Sequence, residues 1–331
     1  MKKIILSLLT IIGMTATAYA GSNQNIWDNP DTIVVARDGT GQFRNIVEAI
    51  DVCRAFMEYH KVIYVKKGVY KEKVIVPTFL TNIEICGEDR DETIITYDDH
   101  ANIKYDNLPN NHKLGTFATY TLKVEGNDIT LKNITIENNA PKLGQAVALH
   151  TEGDRLVFVN CRFLGNQDTV YTGRENTRLY FKDCYIEGTT DFIFGPSVAW
   201  FEGCDIKNKV NSYVTAASTP QGQKYGYIFN NCRITCDEGV DKCYLGRPWR
   251  PYAYTLFMNC NLGKHIRPEG WHNWGKKSNE ETARYMEYNN SGEGAATTGR
   301  ASWAKQLTKK EAAKITPATV FAITTEWDPT K

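Results

Sequence analysis

The fold of this chain is decided by a four-residue phrase, Asn160-Cys161-Arg162-Phe163, that recurs four more times. Each copy has Asn, Asp or Gly, then Cys, then any residue, then an apolar one. The later copies are Asp183-Cys184-Tyr185-Ile186, Gly203-Cys204-Asp205-Ile206, Asn231-Cys232-Arg233-Ile234 and Asn259-Cys260-Asn261-Leu262. Their cysteines are 23, 20, 28 and 28 residues apart, and Leu131-Lys132-Asn133-Ile134-Thr135-Ile136 is an earlier copy without cysteine. Self-similarity at such a period is typical of a solenoid.

Short segments rich in β-branched and aromatic residues flank the copies, and turn residues separate them. The segments are 155–159, 179–181, 199–201, 227–229 and 255–258. No helical period lies between them. Coils of about 20 to 28 residues built from short strands favour a parallel β-helix over a βαβ array or a leucine-rich repeat. We therefore predict an all-β fold, a right-handed parallel β-helix.

The nine cysteines are an odd number in a chain too long to need disulfide stapling, so at least one thiol is unpaired. We interpret the repeated cysteines as an internal ladder of small apolar residues, in preference to a metal or redox site. No C-x-x-C pair occurs and the six histidines lack zinc-ligand spacing, so no metal is expected. Cys236 and Cys243 could close a loop, but the sequence assigns no disulfide.

Helix signals lie near both ends of the solenoid, whose open ends must be covered. Near the N-terminus, apolar residues at 43, 46, 47 and 50 have the spacing of an amphipathic helix that could plug the first coil. Near the C-terminus, Thr308-Lys309-Lys310-Glu311 is a capping-box pattern that opens a helix through Ile315. We predict helical caps near the N- and C-termini.

Residues 1–20 have the features of a secretory signal peptide. Lys2 and Lys3 precede an apolar run from Ile4 to Ile12, and Ala18-Tyr19-Ala20 forms a small-residue cleavage site. A membrane anchor is the alternative, but the run is too short to span a bilayer. We expect a secreted or periplasmic protein with no membrane span, whose residues 21–331 form one catalytic domain.

The charge balance argues against nucleic acid as a partner. The chain has 39 basic and 38 acidic residues, and loss of Lys2 and Lys3 leaves a formal net charge near −1. A near-neutral surface without a Lys/Arg cluster cannot supply the counterion release that drives nonspecific binding to DNA or RNA.

Two aspartates occupy the same phase of consecutive coils. Asp168 lies seven residues after Cys161, and Asp191 lies seven residues after Cys184. Neighbouring strands are ~4.8 Å apart, so carboxylates in register would perturb each other's ionisation. Such a pair tends to split into one ionised and one protonated group, as a nucleophile and a general acid require.

Amide and aromatic side chains accompany this pair. Gln167 precedes Asp168, and Gln145 lies about one coil earlier; their N–H groups could stabilise the oxyanion of acyl transfer. An Asn/Gln/Asp ladder that only links the coils explains this spacing equally well. The segments Leu245-Gly246-Arg247-Pro248-Trp249 and Gly270-Trp271-His272-Asn273-Trp274 add an arginine suited to carboxylates and aromatic faces suited to sugars, although packing is the commoner role of tryptophan.

These segments, in this order, resemble the pectin methylesterase family over almost the whole mature chain. The matching motifs are Val34-Val35-Ala36-Arg37-Asp38-Gly39-Thr40-Gly41, Gly68-Val69-Tyr70-Lys71-Glu72, Gln145-Ala146-Val147-Ala148-Leu149, Gln167-Asp168-Thr169-Val170-Tyr171, Asp191-Phe192-Ile193-Phe194-Gly195 and Leu245-Gly246-Arg247-Pro248-Trp249. The resemblance implies a carbohydrate esterase that hydrolyses C6 methyl esters of homogalacturonan without a metal or organic cofactor. We expect a monomer.

The resemblance also implies a role for each site residue. Asp191 would attack the ester carbonyl, and Asp168 would protonate methanol and then activate water. Gln167 and Gln145 would hold the oxyanion, and Arg247 would orient Asp191 and keep it ionised. The residues that would contact the polysaccharide are Thr116, Gln145, Arg247, Trp249 and Trp271.

Three features depart from the family or from the spacing argument. Asn166 stands where many plant members have tyrosine, and the stretch Tyr171 to Arg178 is slightly longer than in those members. Arg247 follows Asp191 by 56 residues, so their contact is expected to need a loop that turns back.

Three other functions remain as alternatives. A calcium-dependent pectate lyase shares the architecture but lacks the Gln-Asp and Asp-Phe-Ile-Phe-Gly phrases. A serine esterase would need a G-x-S-x-G nucleophile elbow, which is absent from the sequence. A β-helix that only binds polysaccharide should have lost a member of the site, and every member is present.

Overall fold

The computed structural model describes residues 32–105, 112–323 and 325–331. The predicted signal peptide lies outside these residues. Within them, the chain winds through three parallel sheets in turn, coil after coil, and every pairing of neighbouring strands is parallel. This arrangement confirms the parallel β-helix.

The strands of the described residues fall into sheets of eleven, eight and seven. The first sheet contains Ile33–Val35, Lys61–Val65, Thr81–Gly87, Asn127–Lys132, Leu156–Val159, Arg178–Lys182, Val198–Glu202, Tyr227–Asn230, Tyr254–Met258, Arg284–Tyr288 and Lys305–Gln306. The second sheet contains Gly68–Lys71, Thr93–Tyr97, Thr135–Asn138, Arg162–Leu164, Tyr185–Gly188, Asp205–Asn208, Arg233–Cys236 and Asn261–Leu262. The third sheet contains Val74–Val76, Leu122–Val124, Leu149–Thr151, Val170–Thr172, Ile193–Gly195, Tyr213–Ala217 and Tyr244–Gly246.

The interior is a set of rows in which each residue stacks on its equivalent in the next coil. The aromatic row has ring centroids 4.3 to 4.6 Å apart and consists of Phe158, Phe181, Phe201, Phe229 and Phe257. Beside it runs the cysteine row, which is fully buried and unoxidised and consists of Cys161, Cys184, Cys204, Cys232 and Cys260. The ladder interpretation is therefore confirmed, and Cys236 and Cys243 are also free thiols rather than a disulfide.

The residue before each ladder cysteine has a left-handed backbone. The φ angles are 50° at Asn160, 52° at Asp183, 62° at Gly203, 55° at Asn231 and 55° at Asn259. Glycine adopts this conformation without steric cost, and Asn and Asp tolerate it better than other side chains do. The repeat therefore begins with Asn, Asp or Gly because the chain turns there from the first sheet to the second.

An N-terminal helix, α1 (Ile46–Asp51), covers the first coil. Of the predicted apolar residues, it buries Ile46 and Ile50 in the main core, together with Ala49, while Val47 is only partly buried and Phe43 precedes the helix. Glu72, from the Gly-Val-Tyr-Lys-Glu motif, accepts hydrogen bonds from the backbone N–H groups of Ile46 and Val47 at 3.0 and 3.1 Å. A carboxylate at this end satisfies free N–H groups and complements the helix dipole.

Three further helices lie toward the C-terminus: α2 (Asn279–Thr282), α3 (Lys309–Ala312) and α4 (Pro317–Phe321). The predicted capping box at Thr308 and Glu311 is present, but α3 ends at Ala312, before Ile315. Short 3₁₀ turns occur at Thr116–Ala118 and Glu293–Ala295. No helix of the described ranges is long and apolar enough to cross a membrane.

Helices α3 and α4 lie against the outer face of the first sheet rather than over the last coil. Val320 and Phe321 are fully buried against outward-facing residues such as Trp200 and Leu256. The last coil is instead closed by aromatic residues, where Trp271 packs on the Tyr285 ring at 4.4 Å. The sequence predicted α3 but neither α2 nor α4, and it did not predict the surface that α3 and α4 cover.

Candidate active site

Asp168 and Asp191 lie at equivalent positions of adjacent coils. Each precedes a strand of the third sheet by two residues, and those strands pair with Val170 opposite Ile193. The two side chains line one cleft, as their common spacing from the ladder cysteines predicted. Both residues are nearly buried, with exposed fractions of 8% and 7%.

The cleft has a volume of about 290 Å³ and brings together residues from seven separate parts of the chain. Its lining includes seven of the eight predicted site residues: Thr116, Gln145, Gln167, Asp168, Asp191, Arg247 and Trp249. Phe117, Phe194, Ala216 and Trp274 complete it. A polar floor between aromatic walls is a surface suited to a sugar ring.

Both aspartates have a left-handed backbone, with φ angles of 68° at Asp168 and 52° at Asp191. Their N–H groups donate to the carbonyl groups of Thr190 and Tyr213 on the following coil, at 3.2 and 2.9 Å. Such conformations are uncommon outside glycine, and they persist where surrounding structure fixes them. The fixed coils thus hold the two carboxyl groups at the cleft.

Arg247 forms a two-pronged ion pair with Asp191. Its Nε and Nη2 groups donate to the two carboxylate oxygens at 2.9 and 2.7 Å. Arg247 directly follows strand Tyr244–Gly246, two strands away from Ile193–Gly195, and its guanidinium lies over the ring of Tyr213 on the intervening strand. The expected returning loop is therefore unnecessary, because the long side chain itself spans the intervening strand.

The surroundings separate the two carboxyl groups electrostatically. Burial raises the pKa of Asp168 well above its usual range, and the charge of Asp191 raises it further, while Arg247 opposes both effects. Burial also raises the pKa of Asp191, but the hydrogen bonds and charge of Arg247 act against that increase. Asp168 is therefore the better proton carrier, and Asp191 is the better anion.

Gln145 and Gln167 reach the cleft with unused amide groups. Neither side chain makes a hydrogen bond to any other group in the part of the chain that the structure describes. These two amide side chains therefore do not link neighbouring coils. Their N–H groups are available to an oxygen atom of a bound molecule.

The three tryptophans of the two sequence segments have different positions. Trp249 is half-buried at the cleft wall, with its ring 5.9 Å from that of Phe194. Trp271, expected at the substrate, is instead a core residue with 2% exposure, and its Nε1 donates to Glu287 at 3.0 Å. Trp274, three residues later, lines the cleft in its place.

Sequence reasoning also missed Phe117 and Phe194 as cleft residues. Phe194 belongs to the Asp-Phe-Ile-Phe-Gly segment, in which strand alternation could have indicated that it points away from the buried Ile193. Phe117 follows Thr116 in a 3₁₀ turn and is 46% exposed. Across residues 32–105, 112–323 and 325–331, no three His, Cys, Asp or Glu side chains are grouped so that they could hold a metal ion.

The chain matches proteins of one enzyme family over most of its length. A family model described as Pectinesterase matches residues 32–324. The chain is 38% identical over 281 residues to Pectinesterase 31 of Arabidopsis thaliana, which covers 84% of this chain and 88% of that protein. It is also 38% identical over 303 residues to a probable pectinesterase/pectinesterase inhibitor of Brassica napus, where the match covers 87% of this chain but 50% of the relative.

The structural comparison agrees with the sequence matches. The pectin methylesterase from carrot superimposes with a TM-score of 0.80 at 33% sequence identity, over 88% of this chain and 92% of that structure. The chain therefore belongs to the pectinesterase family of carboxylic ester hydrolases, which remove methyl esters from pectin.

Proposed function

We propose that this protein hydrolyses the C6 methyl esters of homogalacturonan with Asp191 as the nucleophile. The observation that carries the proposal is the two-pronged pairing of Arg247 with an almost buried Asp191 at the floor of the cleft. This pairing keeps a carboxylate charged and oriented where burial would otherwise favour its protonated form. Attack on the ester carbonyl would give a tetrahedral intermediate bound to Asp191.

Asp168 is the general acid and then the general base of the proposed reaction. Its raised pKa supports a protonated carboxyl group in the free enzyme. As the intermediate collapses, the bond to the methoxy oxygen breaks and Asp168 gives its proton to the departing methanol. The Asp168 carboxylate then takes a proton from water, which attacks the acyl group, releases the galacturonate and regenerates Asp191.

Gln167 and Gln145 are the proposed oxyanion donors. Their unused amide groups lie in the same cleft as both aspartates. An N–H group held at the site of a developing negative charge stabilises the tetrahedral intermediate more than the neutral ester. Backbone bonding supports their placement, because the Ala146 N–H donates to the Gln167 carbonyl and links the two coils.

The polysaccharide is proposed to contact Thr116, Gln145, Arg247 and Trp249, with Trp274 in place of Trp271. The half-buried ring of Trp249 offers an apolar face to a pyranose ring. Trp271 is removed from this set because its indole is enclosed in the core. The signal peptide at residues 1–20, secretion or periplasmic location, and a monomeric state remain parts of the proposal.

The direct test is methanol release from highly methylated pectin by the purified protein. We expect steady release by the wild type, unaffected by a metal chelator and without formation of an unsaturated product. Asp191→Ala should release no methanol while it still binds the polymer. An unsaturated product that requires calcium would indicate a lyase, and binding without methanol release by the wild type would indicate a polysaccharide-binding protein.

A further inference from the structure

Arg247 is held between two aromatic rings. Its guanidinium carbon lies 3.9 Å from the centre of the Tyr213 ring and 3.8 Å from the centre of the Trp274 ring. Two rings this close cannot share one face of a planar group, so they cover opposite faces. The guanidinium keeps its N–H edge for in-plane partners, and that edge is bound to Asp191.

Each ring is fixed by its own neighbours. Tyr213 stacks on Tyr244 of the next coil, with centroids 5.3 Å apart and planes inclined by 13°. Trp274 has a left-handed backbone with φ 62°, which is unusual for a bulky aromatic residue. Backbone strain of this kind is retained where the surroundings enforce it, and it is concentrated at functional sites.

Side-chain hydrogen bonds brace the segment that carries Trp274. The backbone N–H of Trp274 donates to Nδ1 of His272 at 3.0 Å, and the backbone N–H of Gly275 donates to Oδ1 of Asn273 at 2.8 Å. Asn273 Nδ2 donates in turn to Glu280 Oε1, in α2, at 2.7 Å. These bonds make the strained conformation at Trp274 the one that the segment maintains.

We propose that Trp274 is a positioning residue, whose braced indole ring clamps the Arg247 guanidinium against Tyr213 and so aims its N–H edge at Asp191. Trp274 lines the cleft, and its ring therefore also shields one face of the guanidinium from water. An arginine that reaches across a whole strand has several rotatable bonds, and the two rings remove its freedom to rock out of plane. The inference rests on the proposed role of Asp191 as nucleophile.

The clamp has a consequence that can be measured in the pH profile. Arg247 opposes the increase that burial causes in the pKa of Asp191. A misaligned guanidinium would oppose this increase less, so the pKa of Asp191 would rise. The Asp191 carboxylate would then become protonated, and inactive as a nucleophile, at a higher pH. The other titratable groups that interact with this pair are Asp168, Tyr213, Tyr285 and His272.

Of these groups, His272 belongs to the braced segment itself. Burial lowers its pKa, and the charges of Arg247 and Arg267 lower it further. A lowered pKa keeps the ring uncharged, so Nδ1 remains able to accept the Trp274 N–H.

The experiment measures kcat, KM and the pH profile of kcat/KM for methanol release by Trp274→Leu and Trp274→Phe. Trp274→Leu should lower kcat by roughly ten- to hundredfold and change KM less. It should also move the acid limb, which is the fall of kcat/KM at low pH, to higher pH. Trp274→Phe retains a flat ring and should keep most of the activity and the original limb. The matched control is Trp327→Leu, because the Trp327 ring contacts a different arginine, Arg178, on the outer face of the first sheet.

A Trp274→Leu enzyme with a higher KM and an unmoved acid limb would overturn the inference and make Trp274 a substrate contact only. If this variant does not fold, Asn273→Ala retains the ring but removes its brace, and it should shift the limb in the same direction by less. An unmoved limb in a folded Asn273→Ala protein would also overturn the inference. Retained turnover in Asp191→Asn would instead refute the proposed function.

Discussion

At the scale of single residues, the planar fork of Arg247 predicts that lysine cannot replace it. An ammonium group keeps the charge but cannot donate two parallel bonds to Asp191 or stack between Tyr213 and Trp274. We expect Arg247→Lys to lower kcat/KM for methanol release by about 100-fold or more.

The control for this variant is Arg233→Lys, which changes a similar two-pronged pair with Asp205 on the second sheet. That pair is exposed to solvent, and its replacement should leave turnover unchanged. Near-normal turnover of Arg247→Lys would reduce Arg247 to a packing role.

The division of labour between the two aspartates predicts different responses to the leaving group. Methoxide departs poorly without a proton, so Asp168→Asn should turn over methyl esters very slowly. With an ester of a much more acidic alcohol, acylation of Asp191 no longer needs that proton, but water activation still needs Asp168. This variant should release about one equivalent of the alcohol in a burst and then turn over slowly.

Asp191→Asn is the matched variant in the same burst experiment. Without the nucleophile, neither ester should give a burst. Equal loss of activity in both variants with both esters, and no burst in either, would contradict the assignment of acid and nucleophile. Rapid mixing of oligogalacturonate esters with each enzyme provides the measurement.

At the scale of structural elements, the left-handed turn before each ladder cysteine predicts which residues it accepts. Gly203 has φ 62°, and an added Cβ would lie 2.9 Å from Oδ1 of Asp183. Gly203→Val should lower the free energy of unfolding by about 2 kcal/mol, because a β-branched residue is strained in this conformation. Gly203→Asn should cost less, since asparagine occupies the same position in other coils. Denaturant unfolding of the three proteins would check this order, and an equal cost for both variants would contradict it.

The repeat also explains how much could be predicted from the sequence. Rows that depend on coil phase, namely the cysteine ladder and the paired Asp168 and Asp191, follow from spacing alone. Contacts made by long side chains or irregular loops do not. Arg247 reaches its partner across a strand. Trp274 occupies the cleft position expected of Trp271, because a loop, not a repeat, determines which indole faces the cleft.

At the scale of the whole molecule, hydrogen bonds from one buried arginine hold the C-terminal segment against the middle of the solenoid. Arg178 is fully buried in the first sheet, and its Nη1 donates to the carbonyl groups of Phe321 and Thr325 at 3.0 and 2.7 Å. Its guanidinium also pairs with Asp154 at 2.6 Å. The segment thereby covers outward-facing aromatic residues of a sheet that would otherwise expose them.

These contacts predict that Arg178→Ala destabilises the fold without changing the active site directly, because the active site lies at the third sheet. The variant leaves Asp154 without its main partner, so we expect the free energy of unfolding at neutral pH to fall by about 3 kcal/mol. Methanol release at low temperature should remain close to that of the wild type. Arg233→Ala, which breaks an exposed pair, should cost less than about 1 kcal/mol.

The loss in Arg178→Ala should also depend on pH. Burial alone would raise the pKa of Asp154, but the hydrogen bonds and charge of Arg178 bring it below its usual value. In the wild type, the stabilisation from this carboxylate is therefore complete above the unfolded-state pKa of about 4 and is lost as pH falls through the lower folded-state pKa. Without Arg178, burial favours the protonated form of Asp154, and only the ion pair with Arg155 at 3.0 Å still opposes it. The pKa of Asp154 should therefore rise, and acid should relieve part of the cost of its charge. The stability difference between variant and wild type should accordingly narrow as the pH is lowered from 7 through about 4. Denaturant unfolding across this range would measure the difference, and a constant gap would show that Asp154 contributes nothing and that Arg178 acts only through its contacts with the C-terminal segment.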